Sequence, residues 1–334
     1  MSLLSRPLSV PRLRTPWMAV DSPAVAPMRD VEGKVAFITG GDSGIGLGIA
    51  QAFINAGMKV VITYRSRLHF EEAMATLRHA PERVHAIYLD VTDRAAVTSA
   101  AEETVQAFGK IHILVNNAGV GTLVPLTSTT FEEWDWCMNV NVNGVFNGTR
   151  AFLPHIRAHK EGGHIVSTAS MLGGVIVGPY WGVYSTSKFA VVGMMEALRS
   201  ELSGSDIGVS VFCPAGVRSN IGDSDRNRPA GLGRSAIPDT DVSTLRERFN
   251  NALLTIIESG PIDIEPIEAG ECVLRGIRNN DLYILSHPEY EQAIRDRNDA
   301  LVSSIPHTQT ELPAQRRALG SVVRNPIYRV GRMV

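Results

Sequence analysis

The stretch Lys34-Val35-Ala36-Phe37-Ile38-Thr39-Gly40-Gly41-Asp42-Ser43-Gly44-Ile45-Gly46 decides the fold. Its first half is a short apolar run that ends in glycine, the pattern of a buried strand. Behind it, Ile45, Ile49, Ala52 and Phe53 recur at helical spacing. A glycine-rich turn from strand to helix is where a doubly wound sheet holds a dinucleotide pyrophosphate. Glycines at 40, 44 and 46 let the backbone come close to phosphate. The helix start adds free N–H groups and the positive end of its dipole. Glycine turns also occur for steric reasons alone. The strand before and the helix after favour the nucleotide reading.

Outward from this unit the alternation continues. Lys59–Tyr64, Val84–Leu89, Ile111–Val115, His164–Ser167, Val209–Cys213 and Leu282–Leu285 are further short apolar runs. Helical stretches separate them: one holding Phe70, Met74 and Leu77, then Ala95–Phe108, Phe131–His159 and Tyr184–Leu202. Continuous apolar strands joined by helices predict a parallel sheet covered on both faces. The expected fold class is α/β. It is a single doubly wound Rossmann domain over residues 31–305, with a seven-stranded parallel sheet, helices on both faces and right-handed crossovers.

The chain of 334 residues is 44% hydrophobic and 20% charged, an ordinary globular composition. Its formal net charge of -2 gives no reason to expect nucleic acid or an anionic membrane as partner. The three cysteines, Cys137, Cys213 and Cys272, are far apart and show no metal spacing. They suit a reducing compartment, so a cytoplasmic protein with no metal is expected. No run approaches the ~18 apolar residues of a membrane span. Residues 1–30 read as a disordered extension, or a segment upstream of a start at Met28, with mitochondrial targeting as the alternative. Arg6, Arg12 and Arg14 precede the first acid, Asp21, as import would require. Pro7, Pro11 and Pro16 break the amphipathic helix that import also requires. Residues 306–334 form a basic tail with Arg316, Arg317, Arg324, Arg329 and Arg332 against Glu311.

Tyr184-Ser185-Thr186-Ser187-Lys188 carries the chemistry. Positions i and i+4 share a helix face, which sets a tyrosine beside a lysine. An ordinary tyrosine, with a pKa of ~10, is a poor base at neutral pH. The nearby ammonium is expected to lower that value and let the pair exchange a proton with an alcohol or carbonyl. By itself a Tyr-x-x-x-Lys pattern is also an ordinary amphipathic helix.

Taken together, the glycine turn, Asn116-Asn117-Ala118-Gly119, Ser170 and the Tyr184/Lys188 pair resemble the short-chain dehydrogenase/reductase family, over about Val31 to Ser286. The resemblance implies four catalytic positions. Ser170 would hold the substrate oxygen and Tyr184 would exchange the proton. Lys188 would bind the nicotinamide ribose, and Asn141, in Asn141-Val142-Asn143-Gly144-Val145-Phe146, would hold a relay water. It implies cofactor contacts at Gly40, Asp42, Ser43, Gly44, Ile45, Gly46, Tyr64, Arg65, Asp90, Val91, Asn117, Ala118, Gly119, Tyr184, Lys188, Pro214, Gly216, Val217 and Ser219. It also implies a homodimer or homotetramer built on the helices 131–159 and 184–202. In the loop Pro214-Ala215-Gly216-Val217-Arg218-Ser219, Ala215 and Ser219 stand where the family has glycine and threonine.

The cofactor expectation is NADP(H), with NAD(H) as the alternative. An acid at the end of the second strand would bind the ribose hydroxyls of NAD. Tyr64 stands there instead, and Arg65 offers a guanidinium fork to a 2′-phosphate. Asp42, an anion beside the phosphates, runs against this, unless it caps the following helix. Residues 219–241 are expected to form a substrate lid. Val120, Gly121, Met171, Leu172, Val177, Pro179, Tyr180 and Trp181 are expected to line an apolar pocket. A partial similarity to bacterial Cα-dehydrogenases of aryl ether degradation hints at an aromatic alcohol or ketone. The function read from these residues is an NADP(H)-dependent oxidoreductase interconverting a ketone or aldehyde with an alcohol. The alternatives are a catalytically silent nucleotide-sensing protein and an NAD-dependent secondary-alcohol dehydrogenase.

Overall fold

The computed structural model describes residues 27–122, 124–178, 181–233, 263–306 and 326–328. Of the expected N-terminal extension and basic tail, only 27–30, 306 and 326–328 therefore fall within the described residues.

The apolar runs form seven strands: β1 (Val35–Ile38), β2 (Lys59–Tyr64), β3 (Val84–Tyr88), β4 (Ile113–Asn116), β5 (Gly163–Thr168), β6 (Ile207–Cys213) and β7 (Tyr283–Leu285). They make one sheet in the order β3-β2-β1-β4-β5-β6-β7, and every neighbouring pair is parallel. The sheet is the one that continuous apolar strands predict, because both of its faces are covered.

The helices are α1 (Gly44–Asn55), α2 (Arg67–Thr76), α3 (Arg94–Phe108), α4 (Phe131–Met138), α5 (Gly144–Ala158), the single turn α6 (Met171–Gly174), α7 (Gly182–Glu201), α8 (Pro266–Asn279) and α9 (Glu291–Ser303). One face of the sheet is sealed by Ile49 and Phe53 of α1 with Val273 and Ile277 of α8. The other is sealed by Val97 and Ala101 of α3, Phe152 and Ile156 of α5, and Val191 and Met195 of α7. Burial of each large apolar side chain contributes about 1.5–3 kcal/mol. The helix expected over Phe131–His159 is interrupted by a π-turn at Asn139–Asn143. Such a bulge inserts an extra residue and re-aims the side chains around it.

Two close approaches fix the site's frame. A Cβ on Gly48 of α1 would lie 1.8 Å from the Pro266 carbonyl oxygen, and one on Gly270 of α8 would lie 2.2 Å from the Gly48 oxygen. These glycines let α1 and α8 touch backbone to backbone, which locks the helix whose N-terminus faces the cavity. At the strand ends, the Asn116 amide donates to Thr149 Oγ1 at 3.3 Å and to Ser167 Oγ at 3.2 Å, tying β4 to α5 and β5.

Gly48→Ala is expected to destabilise the fold by about 1–3 kcal/mol, because overpacking here meets backbone rather than a movable side chain. Denaturant unfolding measures it. A change below about 0.5 kcal/mol would contradict the close packing of α1 on α8.

Candidate active site

The site forms where the strand order reverses, between β1 and β4, at the carboxyl ends of the strands. Here the glycine turn leaves β1. Gly40 has a φ of 60° and Gly44 one of 49°, in the left-handed region. A Cβ on Gly46 would stand 2.0 Å from the Gly40 carbonyl oxygen. Thr39 Oγ1 accepts the Asn117 and Ala118 N–H groups at 2.8 and 2.9 Å. Asn117 Nδ2 donates to the Thr39 and Gly40 carbonyls at 3.2 and 3.3 Å. Two loops from adjacent strands are thereby knitted into one wall.

That wall belongs to a cavity of about 730 Å³, large enough for a cofactor-sized ligand. Of the expected cofactor residues, Gly40, Asp42, Ser43, Gly44, Ile45, Arg65, Asp90, Val91, Asn117, Ala118, Gly119, Tyr184, Lys188, Pro214, Gly216, Val217 and Ser219 line it. Tyr64 and Gly46 do not. The Tyr64 ring packs against Phe70 at 4.5 Å and Tyr88 at 5.8 Å instead. The pleat of β2 therefore leaves Thr63 and Arg65 for the cavity. Gly46 acts from behind, as the position without a Cβ that lets α1 pack under Gly40.

Asp42 does not cap α1, because the N-cap residue is Ser43. Ser43 makes no side-chain cap bond, and no acid lies in the first turn. The first N–H groups of α1 are thus not spent on a side-chain cap and suit an anion. Burial pushes the Asp42 carboxyl up, opposed by backbone hydrogen bonding and by the charges of His69 and Arg226. Arg65 pairs with Asp90 at 3.5 Å. The cradle, its close backbone approach and the open helix start fit a dinucleotide.

The three expected catalytic residues that meet at the cavity are Ser170, Tyr184 and Lys188. Ser170 follows β5, and Tyr184 and Lys188 lie one turn apart on α7. The Ser170 hydroxyl neighbours the Tyr184 phenol and pulls its pKa down. Lys188 Nζ stands 5.6 Å from the Tyr184 ring centroid and donates to the Thr168 carbonyl at 3.0 Å. The expected lowering of the tyrosine does not occur. Burial pushes Tyr184 up to about 12, and the Ser170 hydroxyl only partly opposes it. Burial also brings Lys188 down to about 8. Desolvation of the phenolate outweighs the Ser170 contribution.

Asn141 does not line the cavity. It sits in the π-turn, where its Oδ1 accepts the Val120 N–H at 2.8 Å. Its Nδ2 donates to the Val120 carbonyl and to Ser187 Oγ, each at 2.9 Å. The side chain thus ties α4, the loop after β4, and α7 together behind the reacting groups. Val120, Leu172 and Trp181 line the cavity as expected. Met171, fully buried, Val177, 65% exposed, and Gly121, which lies against Ile221, do not. Pro179 and Tyr180 fall outside the described residues. Arg226 and Asn227 of the expected lid line the cavity, and Thr63, Ser66, His69, Asp263 and Tyr290 line it without having been expected. Asp263 and Tyr290 could not be read from local pattern, since they arrive from chain segments far from the motifs.

Among the described residues, His112, His159 and Glu161 are close enough to suggest a metal. Their ring nitrogens are already used. His112 Nδ1 accepts the Val35 N–H at 3.1 Å and its Nε2 faces Glu161 at 3.0 Å. His159 Nδ1 accepts the Glu161 N–H at 3.1 Å and its Nε2 donates to the Ile111 carbonyl at 2.7 Å. All three cysteines are free. Among the described residues, no helix is long and apolar enough to cross a membrane.

A glycine cradle for a dinucleotide beside a Ser–Tyr–Lys group defines an oxidoreductase acting on alcohols or carbonyls. The comparisons agree. The family model for short chain dehydrogenases matches residues 34–230, and the chain belongs to the short-chain dehydrogenase/reductase family. A C alpha-dehydrogenase from Sphingobium sp. strain SYK-6 is 36% identical over 297 residues, covering 89% of this chain and 94% of that one. A short-chain dehydrogenase/reductase from Burkholderia phymatum, solved in complex with NAD, superposes with a TM-score of 0.74 at 34% identity, covering 85% of this chain and 100% of that one. The apo form of LigO from Sphingobium sp. strain SYK-6 gives 0.69 at 36% identity, covering 88% and 97%.

The buried lysine makes a stability prediction. Lys188 falls from 10.5 to about 8 on folding. Between those values the unfolded chain holds a proton that the folded chain has released, so stability from this group rises with pH across the window. Below pH 8 the folded chain carries the buried charge. Lys188→Met is therefore expected to raise the Tm of the nucleotide-free protein at pH 7 by about 2–6 °C, a gain that shrinks towards pH 10. Calorimetry at both pH values checks this, and a lower Tm at pH 7 would contradict it.

Proposed function

We propose that this protein interconverts a ketone or aldehyde with an alcohol on a hydrophobic, aromatic substrate, using NADP(H), with Tyr184 as acid and base. One observation carries the reading: Ser170, Tyr184 and Lys188 meet in the same cavity as the glycine turn. A catalytically silent sensor would have no use for that meeting.

When bound, the nicotinamide supplies or accepts the hydride. In the reductive direction the Ser170 and Tyr184 hydroxyls donate to the carbonyl oxygen and polarise it. As the carbon gains the hydride, the oxygen takes the Tyr184 proton. In oxidation the proton returns to Tyr184. Lys188 beside the ring opposes the cost of the phenolate, and Thr168 holds the ammonium in place. Asn141 fixes α7 against α4 through Ser187, so its role is to position Tyr184 and Lys188.

The aromatic substrate follows from the cavity wall, where Leu172, Trp181, Ile221 and Tyr290 are apolar or aromatic. The Trp181 ring lies 5.3 Å from that of Tyr184, so a flat substrate at the tyrosine would touch it. The name of the Sphingobium C alpha-dehydrogenase points the same way. For the cofactor, Arg65, Ser66 and His69 gather in the cavity at the start of α2, with Ser66 as its N-cap. Two donors and a helix start suit a 2′-phosphate. The second reading, NAD(H), is favoured by the Arg65–Asp90 pair, which spends part of that charge, and by the relative solved with NAD. A homodimer or homotetramer is consistent with Phe131 of α4, 88% exposed, and Phe146 of α5, 52% exposed.

Steady-state kinetics with aryl ketones and secondary aryl alcohols test the reading. NADPH is expected to exceed NADH in kcat/KM by about tenfold or more, and Arg65→Ala to remove most of that ratio. Equal use of both would overturn the Arg65 argument, and a preference for NADH would support the NAD(H) reading. Tyr184→Phe is expected to lower kcat by about a thousandfold while nucleotide affinity stays within a few-fold. If that variant keeps most of its activity, the proton assignment is wrong.

A further inference from the structure

The segment after Ser219 does more than border the substrate. It runs from Asn220 through a turn of 3-10 helix ending at Asn227, and is described as far as Gly233. Asn220, Ile221, Arg226 and Asn227 line the same cavity as Asp42, Gly44, Asp90 and Val91. Ser219 starts against the glycine turn, its Cβ 2.9 Å from where a Cβ on Gly44 would stand. At the other end Leu232 packs on the apolar cluster of Val91, Val120, Trp136 and Val140. The segment therefore spans the cavity as a strap from the phosphate turn to α4, passing Asp42 and Gly44 as well as adding Ile221 to the apolar wall.

Two fastenings hold it. Near its start, the Gly121 N–H donates to Ser224 Oγ at 2.7 Å, and the Ser224 hydroxyl donates to the Ile221 carbonyl at 2.7 Å. The second fastening is Arg228. Its guanidinium donates to Glu133 Oε1 of α4 at 2.9 Å, to Asp225 Oδ1 at 2.8 Å and to the Gly233 carbonyl at 3.1 Å. It also lies 4.9 Å from the centre of the Trp136 ring. The pair with Glu133 is sealed from water: the arginine side chain is 12% exposed and the carboxylate side chain 1%.

A buried ion pair adds little net stability, because both charges lose their hydration. What it provides is a single geometry. A planar fork with three acceptors and an aromatic face fits one placement of the strap. Lifting the strap would take the guanidinium from a carboxylate that stays buried on α4, a costly separation. Neither Arg228 nor Glu133 lines the cavity, so the pair touches no reacting group.

We propose that Arg228 is a positioning residue that latches this strap to Glu133 and Trp136, and that nucleotide leaves only when the latch opens. The inference rests on the dinucleotide reading above. Stopped-flow release of NADPH from the full-length protein, chased with excess NADP, measures it. Arg228→Ala is expected to speed release by about tenfold, because breaking a buried charge pair acts on the off-rate. Single-turnover hydride transfer should stay within about twofold. Arg228→Lys, which keeps the charge but loses the fork, should fall between. If Arg228→Ala fails to fold because Glu133 is left buried with its guanidinium removed, the double variant Arg228→Leu with Glu133→Leu removes both charges, and its release rate decides. Release within about twofold of the parent in the folded variants, whatever their Tm, would overturn the latch and leave the dinucleotide reading standing. A parent protein that binds neither NADPH nor NADH would overturn both.

Discussion

The Thr39 hydroxyl holds the site together. It accepts the N–H groups of Asn117 and Ala118, and so binds the turn after β1 to the loop after β4. These two strands are neighbours in the sheet whose outgoing chains leave for opposite faces, which opens a crevice at their carboxyl ends. If that crevice were not bridged at its floor, the glycine turn and the Ser170–Tyr184 wall would be free to shift independently. Asn117 extends the bridge, because its Oδ1 accepts from the Thr168 hydroxyl at 3.2 Å. Thr168 in turn presents its carbonyl to Lys188. A continuous chain of hydrogen bonds thus runs from the phosphate turn to the lysine that stands by Tyr184.

The electrostatics of that wall are set by burial of the side chains more than by charge. Burial moves Tyr184 up and Lys188 down. Both shifts favour the neutral forms, so the protein side chains alone leave the tyrosine protonated. The same burial strengthens a hydroxyl bond to a developing oxyanion. A site of this kind is poised to respond to any charge that enters it. The strap adds Asn220, Ile221, Arg226 and Asn227 to the cavity wall and is pinned to α4 by a charge pair itself withdrawn from water.

Much of this was legible in the chain. Apolar runs of the right length, separated by helical periods, gave seven parallel strands in the expected class, since a strand buried on both faces has no polar alternation to confuse it. The glycine turn was legible because only glycine tolerates its φ values and contacts. Ser170, Tyr184 and Lys188 were legible through local order and spacing. Tyr64 was misread because a position at a strand end has two faces to choose from, and here the Phe70 and Tyr88 rings offered the better packing. The Phe131–His159 helix was read as continuous because a π-turn leaves no mark in apolar spacing.

The sequence by itself determined the sheet, the phosphate turn and the tyrosine–lysine face, all of which are set by residues within a turn or two of one another. Only the tertiary structure decided that Asn141 serves as a tie between helices, that Arg65 is shared with Asp90, and that Asp263 and Tyr290 reach the cavity. It also decided that the loop expected over the substrate sends Asn220, Ile221, Arg226 and Asn227 into the same cavity as the glycine turn. The reason is contact across long separations. Arg228 and Glu133 stand 95 residues apart, and no local period carries a pairing that forms only when two distant segments are packed against the same ring.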